Sequence, residues 1–250
     1  MIPKIIHYCW FGNNPIPKLE QKCIKSWKKH CQDYQFIKWD ETNFDINSFE
    51  FTREAYKAGK WAFVADFVRL YALTKFGGIY LDTDIELLKS LDNLLIYKGF
   101  SGFENDKLIA AGIMGCEAEN GLFSKFYDHY LNSSFKFKDG SIRMLTIPSI
   151  LTGVCAKIGF KITNKFQEVE GVAIFPSEYF YPKDYGTGLV NITENTISIH
   201  HYSCSWLEKK TRKKYMKSWR RNKRKNFYVK LFGIKLFNFF NRILRKKHSQ

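Results

Sequence analysis

An α/β fold with a parallel sheet at its core, followed by a separate basic segment, is what the 250 residues predict. Three observations lead there. Two short apolar runs in the first forty residues flank an amphipathic helix, the order of a βαβ unit. A nearly all-apolar helix over 60–76 then passes through Gly77-Gly78 into a third apolar run. Finally, residues 1–206 carry 23 Lys and Arg against 23 Asp and Glu, whereas 207–250 carry 17 basic residues and one acid, Glu208. The whole formal excess of +16 sits in that last segment, so body (1–206) and tail (207–250) need separate explanations.

The run Ile5-Ile6-His7-Tyr8-Cys9-Trp10-Phe11 reads as a buried strand closed by the turn-forming Gly12-Asn13-Asn14-Pro15. From Pro17 to Cys31, Leu19, Cys23, Ile24, Trp27 and Cys31 share one helical face, and Lys22, Lys25, Lys28 and Lys29 cover the other. Tyr34–Trp39 is the second strand, and connections this short suit a right-handed parallel crossover. The first strand is followed by neither a G-x-G-x-x-G fingerprint nor a G-x-x-x-x-G-K-S/T loop, which argues against dinucleotide and P-loop chemistry.

Within Lys60–Phe76 the stretch Trp61–Leu73 is apolar nearly all round, so the helix should be buried. Two charges interrupt it, Asp66 and Arg69, three apart and on one face. A buried charge without a partner is very costly. The two either pair with each other structurally or project together into a polar pocket for a polar ligand. Gly77-Gly78 permits a sharp reversal after the helix. The next segment, Ile79–Glu86, alternates as a strand with Tyr80, Asp82, Asp84 and Glu86 on one face. Asp is a poor strand former, and two adjacent carboxylates repel unless something positive lies between them. A hard divalent cation, Mg²⁺ or Mn²⁺, answers that repulsion and leaves positions for water or phosphate oxygens. An acidic turn without a metal is the alternative.

Further on, Gly99–Glu104 and Ile109–Gly115 read as strands or turns lining a cleft, and Gly121–Leu131 as a helix. Ile197–Trp206 is an apolar strand running into His200-His201 and closing on Ser205-Trp206. Paired His at a strand end suits a metal or phosphate partner.

Trp10-Phe11-Gly12, the Trp61–Arg69 segment and Phe76-Gly77-Gly78-Ile79-Tyr80-Leu81-Asp82-Thr83-Asp84 together resemble the DXD sugar-binding glycosyltransferases. That group includes bacterial capsular-polysaccharide transferases and fungal initiating mannosyltransferases. More distantly, the segments are similar to the catalytic domain of the clostridial glucosylating toxins. The resemblance covers roughly 2–206. It implies the GT-A fold, a Rossmann-like mixed sheet with helices on both faces, together with a nucleotide-sugar donor, a Mn²⁺ or Mg²⁺ ion and retention of anomeric configuration. It implies that Trp10 stacks on the nucleobase and that Asp66 and Arg69 hold donor sugar and diphosphate. Tyr80 and Asp82 would lie on the ribose or sugar side, Asp84 would bind the metal directly, and His200, then His201, would complete the metal shell. Ser205 and Trp206 would contact the diphosphate from a closing loop. Thr152-Gly153-Val154 stands where relatives often carry Thr-Gly-Pro, and Cys204 where they often carry Gly.

The tail begins with nearly continuous positive charge over 209–225, with Tyr215, Met216 and Trp219 interleaved. Over 227–244, Phe232, Leu236, Phe239, Phe240 and Ile243 share one helical face and Asn238, Asn241, Arg242 and Arg245 the other. A basic amphipathic segment with aromatic anchors suits an anionic membrane surface better than nucleic acid, whose phosphates need no bare Phe, Leu and Ile. Charged residues make up 26% and no long uninterrupted apolar run occurs, so a spanning helix is excluded. The first residues show no apolar signal-peptide core, which favours a cytoplasmic, peripherally membrane-associated protein. Six Cys without a C-x-x-C pair read as buried thiols. The leading expectation is a metal-dependent hexosyltransferase acting from a UDP-sugar or similar donor on a surface polysaccharide or lipid-linked glycan. A metal-dependent phosphodiesterase or nuclease and a non-catalytic membrane adaptor are the alternatives.

Overall fold

The computed structural model describes residues 1–136, 139, 141–142, 146–204, 207, 210–227 and 231. Ser205, Trp206 and the expected apolar face of Phe232, Leu236, Phe239, Phe240 and Ile243 lie outside them. The chain divides into two compact units, Met1–Pro182 with Ile192–Trp206, and Lys183–Asn191 with Leu207–Gln250.

The first unit opens with β1 (Ile5–Cys9), α1 (Lys18–His30) and β2 (Gln35–Trp39), then α2 (Glu50–Lys57) and α3 (Trp61–Phe76). Next come β3 (Gly78–Leu81), β4 (Ile85–Leu87), β5 (Gly99–Asn105), β6 (Leu108–Ile109) and β7 (Ile113–Cys116). After α4 (Gly121–Leu131) and α5 (Ile147–Lys157) follow β8 (Gln167–Val169), β9 (Val172–Phe175), α6 (Ser177–Phe180) and β10 (Ser198–His200). The main sheet runs β2-β1-β3-β7-β5-β9-β8, with β6 on β5, and β4 with β10 forms a separate antiparallel ribbon. β1 is parallel to β2 and β3, and β5 to β9, while β7 runs antiparallel to both its neighbours. The sheet is therefore mixed, with the expected parallel βαβ unit at its start.

Helices flank both faces. Tyr8 meets Trp27 of α1 edge-on at 5.5 Å, while its strand neighbour His7 meets Phe76 of α3 at 6.3 Å. Successive residues of a strand point to opposite faces, so α1 and α3 lie on opposite sides. Trp27 is fully buried and donates its indole N–H to Ile85 O at 2.6 Å, tying α1 to β4. All six cysteines are buried, and none is in a disulfide.

Two positions position the site. Gly78 has φ +94, and a Cβ there would stand 2.7 Å from Ile5 O, so only glycine lets β3 enter beside β1. The second concerns the acidic segment, where the alternation expected through Glu86 is corrected. β3 stops at Leu81, and Asp82–Asp84 form a turn closed by Ile85 N–H donating to Asp82 O at 2.9 Å. Asp82 N–H still donates to Gly112 O at 2.7 Å, after which the chain leaves the main sheet for β10. Asp is poor in a ladder and good in a turn, which is why the strand breaks there. In α5, Thr152 accepts a hydrogen bond from Ile109 N–H at 2.8 Å, so its hydroxyl is used in tying α5 to β6.

In the second unit residues 210–227 are helical, and nine of their ten Lys and Arg are exposed, with no acid among them. Trp219 is 6% exposed. Its indole N–H donates to Tyr185 O at 2.9 Å, the Lys183 ammonium lies 4.0 Å over its ring, and Asn222 donates to Thr187 O. Gly188, at φ +72, approaches so closely that a Cβ would lie 2.3 Å from the indole. Trp219 therefore clamps the strap 183–191 to the helix instead of standing as a surface anchor. No described helix is long and apolar enough to cross a membrane.

Candidate active site

α3 and the β3–β4 turn bring four charges together. Arg69 reaches Asp66 at 2.8 Å, one turn away on α3, and Asp82 at 3.2 Å. Its other donors go to Ala111 O at 2.7 Å and, at 3.4 Å, to Ala65 O, and its guanidinium lies 4.5 Å from the Tyr80 ring centre. Tyr80 donates to Asp82 at 3.0 Å. Asp84, 7% exposed, faces the other way along the turn. It takes a contact from His200 Nε2 at 3.1 Å and the Ser203 amide at 2.7 Å, and its backbone oxygen accepts from His201 N–H at 3.0 Å. The site sits at the carboxyl ends of parallel β1 and β3, where α/β sheets bind ligands.

Burial and charge sort these carboxylates. Burial raises the Asp66 carboxyl to about 7 despite Arg69 beside it. Burial also raises Asp82, with Arg69 opposing and Asp84 adding to the rise. Burial acts on Asp84 in the same sense, but His200 and Ser203 outweigh it and hold that carboxyl well below its usual range. Burial would lower His200, and Asp84, Asp82 and Glu104 together raise it.

Ligand atoms of Asp82, Asp84 and His200 lie within 4.8 Å of one another. His200 Nδ1 is the buried side-chain polar atom that lacks a partner among the described residues. Asp66 and Asp82 share the one obligate cation, Arg69, while Asp84 faces His200 and the Ser203 amide. Two carboxylates and a neutral imidazole are a fitting donor set for a divalent cation with open positions. The site's residues therefore fit a cation held by Asp82, Asp84 and His200. A cavity of about 330 Å³ between the start of α2 and the end of α4 contains none of these side chains.

Residues 17–101 match the model described as "glycosyltransferase sugar-binding region containing DXD motif". That match covers 85 of the chain's 250 residues and contains Asp66, Arg69, Asp82 and Asp84. Part of the chain is also similar to known glycosyltransferases. Inositol phosphoceramide mannosyltransferase 3 of Schizosaccharomyces pombe is 32% identical over 118 residues, 46% of this chain and 33% of that protein. Human lactosylceramide 4-alpha-galactosyltransferase is 30% identical over 124 residues, 48% of this chain and 32% of that protein. The aligned part thus spans about a third of each relative. Among solved structures, the PaToxG glycosyltransferase superposes with a TM-score of 0.50 at 19% identity, covering 62% of this chain and 68% of that one. That likeness is one of fold. The mixed sheet with helices on both faces is the GT-A fold the sequence resemblance implies.

Against the expected glycosyltransferase site, the structure brings Asp66, Arg69, Tyr80, Asp82, Asp84 and His200 into one connected set. Tyr80 is 1% exposed and lies beneath Arg69 and Asp82 as their support. His201 stands apart from the metal group. It contacts Glu86 at 2.7 Å, which also takes Lys22 at 2.7 Å, because adjacent residues at the end of β10 point to opposite sides. Trp10 follows β1 and is half-buried, with its indole N–H on Asn14 O at 2.6 Å. Since His7 pairs with Tyr80, Trp10 stands just past the level of Asp82 along neighbouring strands. Glu104 and Tyr202 were not singled out from the sequence. Glu104, the penultimate residue of β5, faces His200 and Asp82, with the Tyr202 hydroxyl beside it. Its signal in the sequence is one acid closing the apolar run Gly99–Phe103. Cys204 takes φ 51 and Tyr202 φ 53, left-handed values that glycine adopts without strain.

Proposed function

We propose that this chain transfers a hexose-type sugar from a nucleotide-sugar, a UDP-sugar first, to a glycan or lipid-linked glycan acceptor, with retention of configuration. The observation that carries it is the convergence of Asp82, Asp84 and His200 beside the Asp66–Arg69 pair, with all of these but His200 inside the stretch that matches the DXD sugar-binding region. Asp82, Asp84 and His200 would hold a Mn²⁺ or Mg²⁺ ion, which when bound would supply Lewis-acid stabilisation of negative charge on a diphosphate leaving group. Arg69 adds fixed positive charge, pinned by Asp66, Asp82 and the Ala111 carbonyl so that little reorganisation is needed. Asp66 supplies acceptor oxygens for sugar hydroxyls and so orients the donor. Trp10 offers an aromatic face for the base. A front-face attack requires no strongly perturbed enzymic base, so none is assigned.

A lipid-linked acceptor is supported by the names of the relatives, one acting on inositol phosphoceramide and the other on lactosylceramide. An anionic membrane surface suits the second unit, whose helix 210–227 displays nine exposed cations. The proposed place of work is the inner face of a membrane, in synthesis of a capsular or other surface glycan. Incubation with labelled UDP-, GDP-, CMP- and dTDP-sugars and Mn²⁺ tests the function. Transfer of one sugar with the donor's anomeric configuration kept in the product, read by proton NMR, is expected. Cleavage of labelled RNA or DNA with no sugar turnover would establish the phosphodiesterase alternative instead.

A further inference from the structure

His200 lacks the usual restraint of a metal-binding histidine. Such a ring ordinarily donates its second N–H to a carboxylate or carbonyl, which fixes the ring's orientation. Here Nε2 faces Asp84 on the side of the donor set, and Nδ1 is buried with no hydrogen-bond partner among the described residues. Packing must therefore hold the ring. The Tyr202 ring lies 4.1 Å from it, tilted by 40°, and Tyr181 meets it edge-on at 5.7 Å. Tyr181 is itself fixed, its hydroxyl accepting from Ile113 N–H at 2.9 Å. Tyr202 is 5% exposed and sits on a left-handed backbone, φ 53, which a bulky residue adopts only when its surroundings enforce it. Its hydroxyl lies beside Glu104, a carboxylate near the end of β5 that is otherwise unused by the donor set.

We propose that Glu104 and Tyr202 are positioning residues for the cation site. Glu104 anchors the Tyr202 hydroxyl, and the Tyr202 ring presses the His200 imidazole into line with Asp82 and Asp84. This chain from β5 through the loop after β10 to the metal corner rests on the proposed cation site, but not on any choice of sugar or acceptor.

The test is Mn²⁺ binding to the full chain without nucleotide, read by the free-Mn²⁺ electron paramagnetic resonance signal. Tyr202→Phe keeps the ring and removes the bond to Glu104. Glu104→Gln keeps an oxygen able to accept it, and Tyr202→Leu removes the ring as well. Outer-shell losses weaken metal binding roughly 10- to 100-fold. The expected order is Glu104→Gln near wild type, Tyr202→Phe weaker by about tenfold, and Tyr202→Leu weaker still. The ring ¹⁵N shifts of His200 should move in Tyr202→Phe while the thermal midpoint without metal stays within a few degrees. Tyr202→Phe is close to isosteric, so it keeps the test open if Tyr202→Leu fails to fold. Wild-type affinity and unmoved His200 signals in Tyr202→Phe would overturn the assignment. A wild-type protein that binds no Mn²⁺ would overturn the cation site itself, and the outer shell with it.

Discussion

Removing the Arg69 guanidinium should destabilise the fold in a way that acid partly repairs. Arg69 is 5% exposed and stands between Asp66 at 2.8 Å and Asp82 at 3.2 Å. In Arg69→Met the apolar stem survives, but two half-buried carboxylates lose their counter-charge and the buried Ala111 O loses its donor. Breaking a buried pair from one side costs about 3–5 kcal/mol. For a unit of this size each kcal/mol moves the midpoint by about 2–4 °C, so a fall of roughly 6–20 °C is expected at neutral pH. Burial already raises the Asp66 and Asp82 carboxyls, and losing Arg69 raises both further. Protonation removes the uncompensated charge, so the gap to wild type should narrow between pH 7 and pH 5. The assay is thermal unfolding by circular dichroism at both pH values, with Asp66→Asn and the double variant completing a mutant cycle. A fall of less than 2 °C, or a gap that widens with acid, would refute the reasoning.

Other outcomes follow from the same contacts. His7 is buried, with Nε2 on Gly77 O at 2.9 Å and Nδ1 accepting from Trp39 at 3.2 Å, and burial lowers its pKa to about 4. The neutral form belongs to the fold, so stability present above pH 6.5 should be lost as pH falls towards 4. The loss amounts to about 3 kcal/mol at most, and chemical unfolding of His7→Gln should show a flatter pH dependence over that window. Trp27→Ala should cost about 3–5 kcal/mol by urea unfolding, since it empties the α1 face and frees Ile85 O. Gly188→Val should unlatch the strap from Trp219, seen as a red shift of tryptophan emission. Binding of the full chain to phosphatidylserine vesicles should weaken steeply between 50 and 500 mM salt if exposed cations provide the contact.

Legibility from sequence followed the range of the interactions. Strand, helix, strand over 5–39 was readable because each element buries one periodic face. The same holds for α3, where two charges in an apolar helix had to share a site. The Asp82–Asp84 segment was misplaced in the strand, since alternation cannot tell a strand from a tight turn when Leu81 and Ile85 are both buried. The turn nevertheless brings the two carboxylates to His200. What closes around Asp84 was harder to read, because the Ser203 amide approaches from 119 residues away and no local pattern announces it. Glu104 was hidden for a related reason, as a lone acid ending an apolar strand looks like a strand leaving the core. Trp219 read as a surface residue among lysines, and its partners Tyr185 and Gly188 lie more than thirty residues earlier.

The most direct test of the central claim is thermal unfolding against UDP-, GDP-, CMP- and dTDP-sugars with and without Mn²⁺, in wild type and Asp84→Ala. A ligand at a hundred times its dissociation constant adds about 2.7 kcal/mol to the folded state. One nucleotide-sugar should therefore raise the midpoint by roughly 5–10 °C with Mn²⁺ present, with little effect without the metal or in Asp84→Ala. A midpoint that no nucleotide-sugar moves, with or without Mn²⁺, would contradict it.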